Sequence, residues 1–298
     1  MSGQQIDYPS LKRGGVMRQT TPGLFVARLH VVAGNLDAAA LEAIAGIARR
    51  HGDGTVHLTS RQGVEIPHVP YARVEALRAE LKQAGLELGA CGPRVRTVTG
   101  CQGSAVCVHG LVETRGLCEE IDRRFAGREL PHKLKFGVSG CRNSCLKPQE
   151  NDLGIMGAVE PGLRAAGCTS CMACVAACES LALFGDGLHP LVDLERCNHC
   201  GNCIASCPSD AMVEDRKGYV LYLGGRIGRA PKLGERYGGL FADVAGLMRA
   251  LEALVELYRR EGRGGERFGV MLERLDRREV EALIERMRAG PGEEGIPR

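Results

Sequence analysis

The chain has 298 residues, of which 44% are hydrophobic and 25% are charged, and its formal net charge is +3. This length allows two or three domains with a substantial core, and the small net charge gives no reason to expect a nucleic-acid partner. No apolar run reaches the length of a membrane span, and the N-terminus lacks the charged and apolar regions of a signal peptide. We therefore expect a cytoplasmic protein with no membrane insertion.

The first elements follow a β-α-β-β-α-β order between residues 23 and 96. An apolar strand over 24–32 precedes a helix that Asp37 can cap. A hairpin and a second helix follow, and the second helix is expected to end near Gly85. This order is that of the ferredoxin-like split βαβ arrangement, which by itself carries no function.

From Arg94 onward the pattern becomes strand, cysteine pair, helix, strand, second cysteine pair and strand. A cysteine-dense block interrupts this pattern, which then resumes and closes with two amphipathic helices. We predict an α+β protein with a ferredoxin-like domain over 10–90 and an α/β domain formed by 91–160 and 218–298. Residues 161–217 are predicted to be a small domain inserted into the α/β domain.

The fourteen cysteines favour metal binding over disulfides. A disulfide framework suits short secreted chains, and this chain is neither short nor visibly secreted. Twelve of the cysteines fall into tight clusters, which is typical of metal ligands. The other two, Cys91 and Cys118, are predicted to be small buried apolar side chains.

Eight of the clustered cysteines form two copies of the run C-x2-C-x2-C-x3-C that is typical of bacterial ferredoxins. In such runs the fourth cysteine binds the other cluster. A zinc site is the weaker alternative, because structural zinc uses two separated pairs of ligands. His199 lies between two ligands and is predicted to be a loop residue. One [4Fe–4S] cluster would take Cys168, Cys171, Cys174 and Cys207, and a second would take Cys197, Cys200, Cys203 and Cys178.

The remaining four cysteines form two pairs, Cys101-x5-Cys107 and Cys141-x3-Cys145. Four thiolates can hold one cubane iron–sulfur cluster. The strand before the second pair carries Lys133 and Lys135, whose side chains share one face because strand side chains alternate. These cations would suit an anionic cofactor and an anionic substrate.

Four segments around these cysteines resemble the nitrite and sulfite reductase family, which uses siroheme coupled to a [4Fe–4S] cluster. The resemblance implies that Cys145 bridges the cluster to the siroheme iron, and that Cys101, Cys107 and Cys141 hold the other corners. With the inserted module, it implies three [4Fe–4S] clusters and siroheme. The segments are Leu58-Thr-Ser-Arg-Gln62, Thr99-Gly-Cys101, Val138 to Cys145 continuing through Lys147-Pro-Gln-Glu-Asn-Asp-Leu-Gly-Ile155, and Leu221 to Pro231.

The resemblance also implies roles for several polar residues. The positions that contact substrate in the family are Arg61, Arg96, Lys133 and Lys135, although a solvated surface charge would explain any one of them. Charged side chains suit siroheme because it carries eight carboxylates. Weaker candidates for holding those carboxylates are Arg142, Asn143, Arg226 and Arg229, which ordinary loop hydrogen bonding would also explain.

These features predict an oxidoreductase that reduces sulfite to sulfide with six electrons, delivered through the built-in ferredoxin module. Two alternatives stay open: a siroheme nitrite reductase that forms ammonia, and a non-catalytic electron-transfer subunit. The lysines, with His132 as a weaker candidate, would donate protons. Many family members contain two copies of this half, whereas this chain contains one. It resembles small sulfite reductases and the catalytic subunit of the anaerobic type, so a homodimer, a hetero-oligomer and an electron-donor protein or subunit are expected partners.

Overall fold

A computed structural model describes residues 6–89, 91–185 and 187–289, so the predicted domain boundary at 298 lies outside the described residues. The helices are α1 Tyr8–Arg13, α2 Ala38–His51, α3 Val74–Gln83, α4 Arg115–Phe125, α5 Ala173–Ala176, α6 Asn202–Ala205, α7 Val244–Glu261, α8 Phe268–Glu273 and α9 Arg277–Ala289. The strands are β1 Val16–Arg18, β2 Leu24–Arg28, β3 His57–Leu58, β4 Val64–Pro70, β5 Thr99–Gly100, β6 Phe136–Ser139, β7 Leu153–Leu163, β8 Leu183–Gly185, β9 Pro190–Val192, β10 Met212–Leu223 and β11 Glu235–Phe241.

The N-terminal part of the chain is an antiparallel sheet in the order β1-β2-β4-β3. The buried faces of α2 and α3 join this sheet in one apolar core. Asp37 caps α2 as predicted, since its carboxylate accepts a hydrogen bond from the amide of Ala40 at 2.7 Å. The last strand predicted for this part is reduced to one antiparallel bridge between Leu29 and Leu88, and the unpredicted β1 occupies the same edge of β2.

The second sheet has the order β11-β10-β7-β6-β5. Its strands β5, β6 and β7 are parallel, whereas β7, β10 and β11 pair antiparallel. One large core covers it, formed with α4, α7, α8 and α9. Aromatic rings fix the helices on the sheet: Phe125 of α4 stacks on Phe136 at 5.5 Å, and Tyr258 meets Phe268 edge-on at 5.4 Å.

The cysteine-dense block lies between the two longest strands of this sheet. Strands β7 and β10 pair along their whole length, and the last pair is Leu163 opposite Met212. The hairpin therefore extends a few residues inside the predicted insertion limits of 161 and 217, further than the apolar pattern suggested. Between the strands, the block contains α5, α6 and the small sheet of β8 and β9.

Several local predictions were wrong. The apolar spacing of Leu111, Leu117, Ile121 and Phe125 predicts one helix between the cysteine pairs. This helix begins only at Arg115, and the Leu111 amide instead bonds to the carbonyl of Gly140 at 2.8 Å. The strand expected from Arg94 makes only isolated bridges before β5. Four elements were not predicted from the sequence: α1, β1, α8 and β11. Among the described residues, no helix is both long and apolar enough to cross a membrane.

Candidate active site

A cavity of about 240 Å³ lies where the two sheets meet. Its wall brings together the four predicted substrate-contacting residues, although they are distant in sequence. A fifth cation, Arg28 at the end of β2, was not predicted. The polar part of the wall is Arg28, Arg61, Arg96, Lys133, Lys135, Thr59, Ser60 and Thr97. We call this space the cation cavity.

The two lysines reach the cation cavity by the alternation that the sequence predicted. Leu134 between them is fully buried and forms a parallel bridge with Val95. Lys133 and Lys135 therefore both face the cavity. The backbone amide of Lys135 donates to the carboxylate of Asp152 at 3.0 Å, which fixes this segment just before β6.

Arg61 lies in the turn between β3 and β4 and is held on both sides of its guanidinium. It donates to Asn151 Oδ1 at 2.7 Å and to the carbonyl of Thr97 at 3.3 Å. The next residue, Gln62, pins this turn to β5 with two hydrogen bonds of 2.9 Å to the backbone of Gly100. The turn is thus fixed against the second sheet, and Arg61 is presented in a defined orientation.

Burial makes the cations of this site less basic than usual. It lowers the pKa of Lys135 to about 8, helped by the positive charge of Arg61. It lowers the pKa of Arg61 to about 10, and it lowers the pKa of Lys133, where Arg267 and Arg96 add to the effect. Lys135 can therefore give up a proton near neutral pH, whereas Arg61 stays charged.

A second cavity of about 380 Å³ adjoins the first and contains Cys145. Ser60, Arg61 and Lys135 line both cavities, so they stand between the thiol and the cation cavity. Other wall residues of this second space are Thr99, Leu146, Lys147, Glu150, Asn151 and Ile227. The arrangement places a candidate metal ligand directly beside the cationic wall.

The two cysteine pairs of the α/β domain come together near this second cavity. Burial raises the pKa of the Cys141 thiol, and the negative charges of Cys101, Cys107 and Cys145 raise it further. The amide of Gly140 donates to the sulfur of Cys101 at 3.0 Å. A side chain at Gly140 would lie 2.9 Å from the α-carbon of Gly103, so the close approach of the two cysteine loops requires glycine. Four converging thiols with a backbone donor suit an iron–sulfur cluster.

The eight cysteines of the inserted block form two groups, each made of three cysteines from one run and the fourth cysteine of the other. One small cavity is lined by Cys168, Cys171, Cys174 and Cys207. The charges of Cys200, Cys197 and Cys178 act on Cys203, whose thiol pKa burial raises to about 12. Backbone amides donate to four of these sulfurs at 3.3–3.5 Å: Ala182 to Cys178, His199 to Cys197, Asn202 to Cys200 and Met212 to Cys207.

Such backbone donors are typical of iron–sulfur sites, where they help to set the cluster potential. They also lower the pKa of the Cys207 thiol to about 7, with Met212 as the largest contributor. Within the described residues, no three His, Cys, Asp or Glu side chains converge in a way that would hold a single metal ion.

The weaker candidates lie away from the cation cavity. Arg142 donates to the hydroxyl of Tyr222 and, with Asn143, lines a different cavity of about 630 Å³. Arg226 pairs with Glu273 at 3.0 Å, and Arg229 is exposed. The cavity beside Arg142 and Asn143 is notable because Cys141 and Cys200 also line it.

The two histidines singled out by the sequence have different surroundings. Burial lowers the pKa of His132, with Lys133 as the largest charge effect. His199 is buried, and burial next to Arg236 lowers its pKa to about 4. Arg236 of β11 contacts His199 Nε2 at 2.9 Å and the carbonyl of Cys197 at 3.4 Å, so it ties the inserted block to the second sheet.

Three charged residues that lie beside the predicted site residues were not predicted from the sequence: Arg28, Asp152 and Arg267. Arg28 lines the cation cavity and pairs with Glu65 at 2.6 Å. Asp152 is fully buried beneath Lys135 and pairs with Arg267 at 2.8 Å. Burial raises the pKa of Asp152 and the Arg267 charge opposes that rise. The only sequence signal was that Asp152 belongs to the segment after the second cysteine pair.

Two family models match the chain. The nitrite/sulfite reductase ferredoxin-like half domain matches residues 17–84, and the nitrite and sulphite reductase 4Fe-4S domain matches residues 91–290. The chain therefore belongs to the nitrite and sulfite reductase family, whose members bind siroheme and a [4Fe–4S] cluster. The donor set described above, with four converging thiols beside a cationic cavity, fits both groups.

Individual relatives agree with this assignment. The coenzyme F420-dependent sulfite reductase of Methanocaldococcus jannaschii is 38% identical over 176 residues, which is 58% of this chain and 28% of that protein. An uncharacterized protein of the same organism is 31% identical over 258 residues, 86% of this chain and 88% of its own length. The nitrite reductase [NAD(P)H] large subunit of Klebsiella oxytoca is 34% identical over 134 residues, 45% of this chain and 14% of that protein. The chain thus spans only a fraction of the named reductases.

A solved structure has the same fold. The crystal structure of dissimilatory sulfite reductase I matches with a TM-score of 0.73 at 19% sequence identity. The match covers 92% of this chain and 72% of the other.

Proposed function

We propose that the protein reduces sulfite to sulfide, with siroheme as the catalytic group and electrons arriving through the inserted module. The observation that carries this proposal is the position of Arg61 and Lys135. They line both the cation cavity and the adjoining cavity of Cys145, so an anion in the first would lie next to the group that Cys145 would hold.

The cation cavity would bind the anion. Its wall supplies three guanidinium and two ammonium groups to a substrate of one or two negative charges. Arg61, Arg96 and Lys133 would hold the oxygens in place. Lys135, with a pKa of about 8, would also give up a proton as an oxygen departs as water.

The thiols of Cys101, Cys107, Cys141 and Cys145 would hold one [4Fe–4S] cluster, and Cys145 would also ligate siroheme. Siroheme held there would supply a redox-active iron for the reduction of the anion. Lys147 lines the Cys145 cavity and is a candidate for pairing with siroheme carboxylates. Arg142, Asn143, Arg226 and Arg229 are less favoured for that role, because they do not line the two cavities beside Cys145.

Electrons would enter through the cluster of Cys168, Cys171, Cys174 and Cys207, and leave through the cluster of Cys178, Cys197, Cys200 and Cys203. Two observations support this order. Cys171 is exposed, which makes the first cluster accessible to a donor protein or subunit. Cys200 and Cys141 line the same cavity, which brings the second cluster next to the active-site thiols.

Nitrite is the second candidate substrate, because the same wall of cations would bind it and a nitrite reductase is among the relatives. We prefer sulfite because the relative at 38% identity is named a sulfite reductase. A third candidate is an electron-transfer subunit that binds the clusters but no siroheme. It is less favoured because it does not account for the five cations of the cation cavity.

Two measurements on anaerobically purified protein test these alternatives. An absorption spectrum with iron and sulfide quantitation should show heme bands together with about twelve irons in cubane clusters, four for each cluster, besides the siroheme iron. Cluster-replete protein without heme bands would support the electron-transfer subunit. Turnover driven by reduced viologen should be faster with sulfite than with nitrite, and the reverse order would assign the protein as a nitrite reductase.

A further inference from the structure

His30 lies behind the wall of the cation cavity, between that wall and the protein surface. Its Nε2 is 2.7 Å from a carboxylate oxygen of Asp122 on α4, and its Nδ1 is 3.3 Å from the hydroxyl of Thr97. Thr97 belongs to the cavity wall, as do Leu29 and Val31 on either side of His30. The histidine side chain keeps 21% of its surface exposed. A line of hydrogen-bonding groups therefore runs from the partly exposed imidazole of His30 to Thr97, a residue of the cavity wall.

The proposed reaction needs such a line. Reduction of hydrogen sulfite to hydrosulfide with six electrons takes up six protons and releases three water molecules. A lysine in the cavity supplies one proton and must then be recharged from outside. Histidine is well suited to the recharging step because it gains and loses a proton near neutral pH.

We infer that His30 supplies protons to the cation cavity through the hydroxyl of Thr97, and that Asp122 orients the imidazole for this transfer. This inference rests on the proposed function. Because Nε2–H donates to Asp122, Nδ1 is the nitrogen that gains and loses a proton, and it is the one facing Thr97.

The transfer is balanced without any redox change. Protonated His30 gives the proton on Nδ1 to the Thr97 oxygen, and Thr97 releases its own hydroxyl proton towards the cavity. Neutral His30 then regains a proton at Nδ1 from a hydronium ion that reaches its partly exposed ring, and rotation of the Thr97 hydroxyl restores the starting arrangement. The charged groups facing His30 are Asp122 and, more weakly, Glu87 after α3, and both raise its pKa against the opposing effect of burial. His30 is thus protonated over a wider pH range than a free histidine.

The contact between His30 and Asp122 also joins the N-terminal sheet to α4, which packs on the second sheet. The test must therefore separate proton supply from stability. His30→Gln keeps an amide that can donate to Asp122 but cannot ionise. We expect turnover at saturating sulfite to fall by about tenfold or more, with a larger solvent deuterium isotope effect. At pH 9, where the His30–Asp122 pair no longer contributes an ionic interaction, the melting temperature should be nearly unchanged. The matched control is His68→Gln, which alters an exposed histidine paired with Asp53 at 2.7 Å, and it should leave turnover unchanged.

Two further variants test the path itself. Thr97→Val removes the hydroxyl at nearly constant volume, so it should lower turnover as His30→Gln does, whereas Thr97→Ser should be faster than Thr97→Val. In histidine-labelled protein, a magnetic resonance titration should give a His30 pKa above 6.5 that falls in Asp122→Asn. Wild-type turnover and isotope effects in both His30→Gln and Thr97→Val would overturn the inference alone. A wild-type protein that reduces neither anion would overturn the proposed function, and this inference with it.

Discussion

Arg267 donates to Asp152 at 2.8 Å, and this ion pair joins the start of α8 to the strand that follows the second cysteine pair. The Asp152 side chain is completely buried and that of Arg267 is 15% exposed. The same carboxylate accepts the backbone amide of Lys135. One buried pair therefore supports the segment that presents both lysines to the cation cavity.

Removing the cation of this pair should destabilise the fold strongly. Arg267→Met leaves the Asp152 carboxylate buried without its partner, and we expect a loss of about 3–5 kcal/mol in the free energy of unfolding. Urea unfolding followed by circular dichroism measures this loss. The double variant with Asp152→Asn should recover part of it. Arg259→Met breaks an exposed pair with Glu256, which solvent screens, and should change the stability far less.

Turnover should depend on the protonation of Lys135. Its pKa of about 8 means that the ammonium is present below pH 8 and is lost as the pH rises through that value. Loss of the proton removes both a cation and a proton donor, so the rate should fall on the alkaline side. A pH–rate profile measures this limb. In Lys135→Arg the side chain stays charged, so the profile should lack the limb near pH 8 even though the variant is slower. An identical limb in that variant would assign the titration to another group.

Loss of single cations at the cavity wall should weaken the reaction without affecting the clusters. We expect Lys133→Ala and Arg96→Ala to lower turnover with sulfite by at least about tenfold, because each removes a charge from the wall that holds the anion. Steady-state kinetics gives the loss, and iron quantitation should be unchanged. Arg49→Ala alters an exposed arginine of α2 and serves as the control. Wild-type kinetics in the two wall variants would remove them from the site.

The proposed crossed ligation predicts the effect of losing one cysteine from the inserted module. Cys178→Ser should disturb the cluster of Cys197, Cys200 and Cys203, although Cys178 comes from the other run. Iron content should fall by up to about four per chain, while the heme bands persist. Cys91→Ala changes a buried cysteine outside the clusters, and its iron content should equal that of the wild type. Damage to the cluster of Cys168, Cys171 and Cys174 instead would contradict the crossed arrangement.

The contact between His30 and Asp122 should make stability depend on pH. The pKa of His30 is raised above 6.5 in the folded protein, mainly by its hydrogen bond to Asp122. The stabilisation is therefore complete below pH 6.5 and is lost as the pH rises through the folded-state value. The melting temperatures of wild type and Asp122→Asn should differ more at pH 5.5 than at pH 9. An equal difference at both values would show that the pair is not ionised in this way.

The features that sequence predicted best are those set by short spacing or strand alternation. Each cysteine run brings three thiols together locally, and the pattern Lys133-Leu-Lys135 fixes which side chains share a face. Arg267 and Asp152 are 115 positions apart, and α8 has only six residues, too few for a helical pattern to stand out. The direction of Arg142 is set by Tyr222, 80 positions away, although its place beside Cys141 was clear.

The last pair of the long hairpin, Leu163 opposite Met212, places the two ends of the inserted module side by side. A hairpin tolerates connections of very different length, because the entropic cost of closing a loop grows only slowly with its size. The whole cysteine-rich block can therefore occupy the position of a simple turn without shifting the register of the sheet. Under the proposed function, the electron supply would be an attachment whose loss or exchange leaves the sheet that carries the active-site cysteines unchanged.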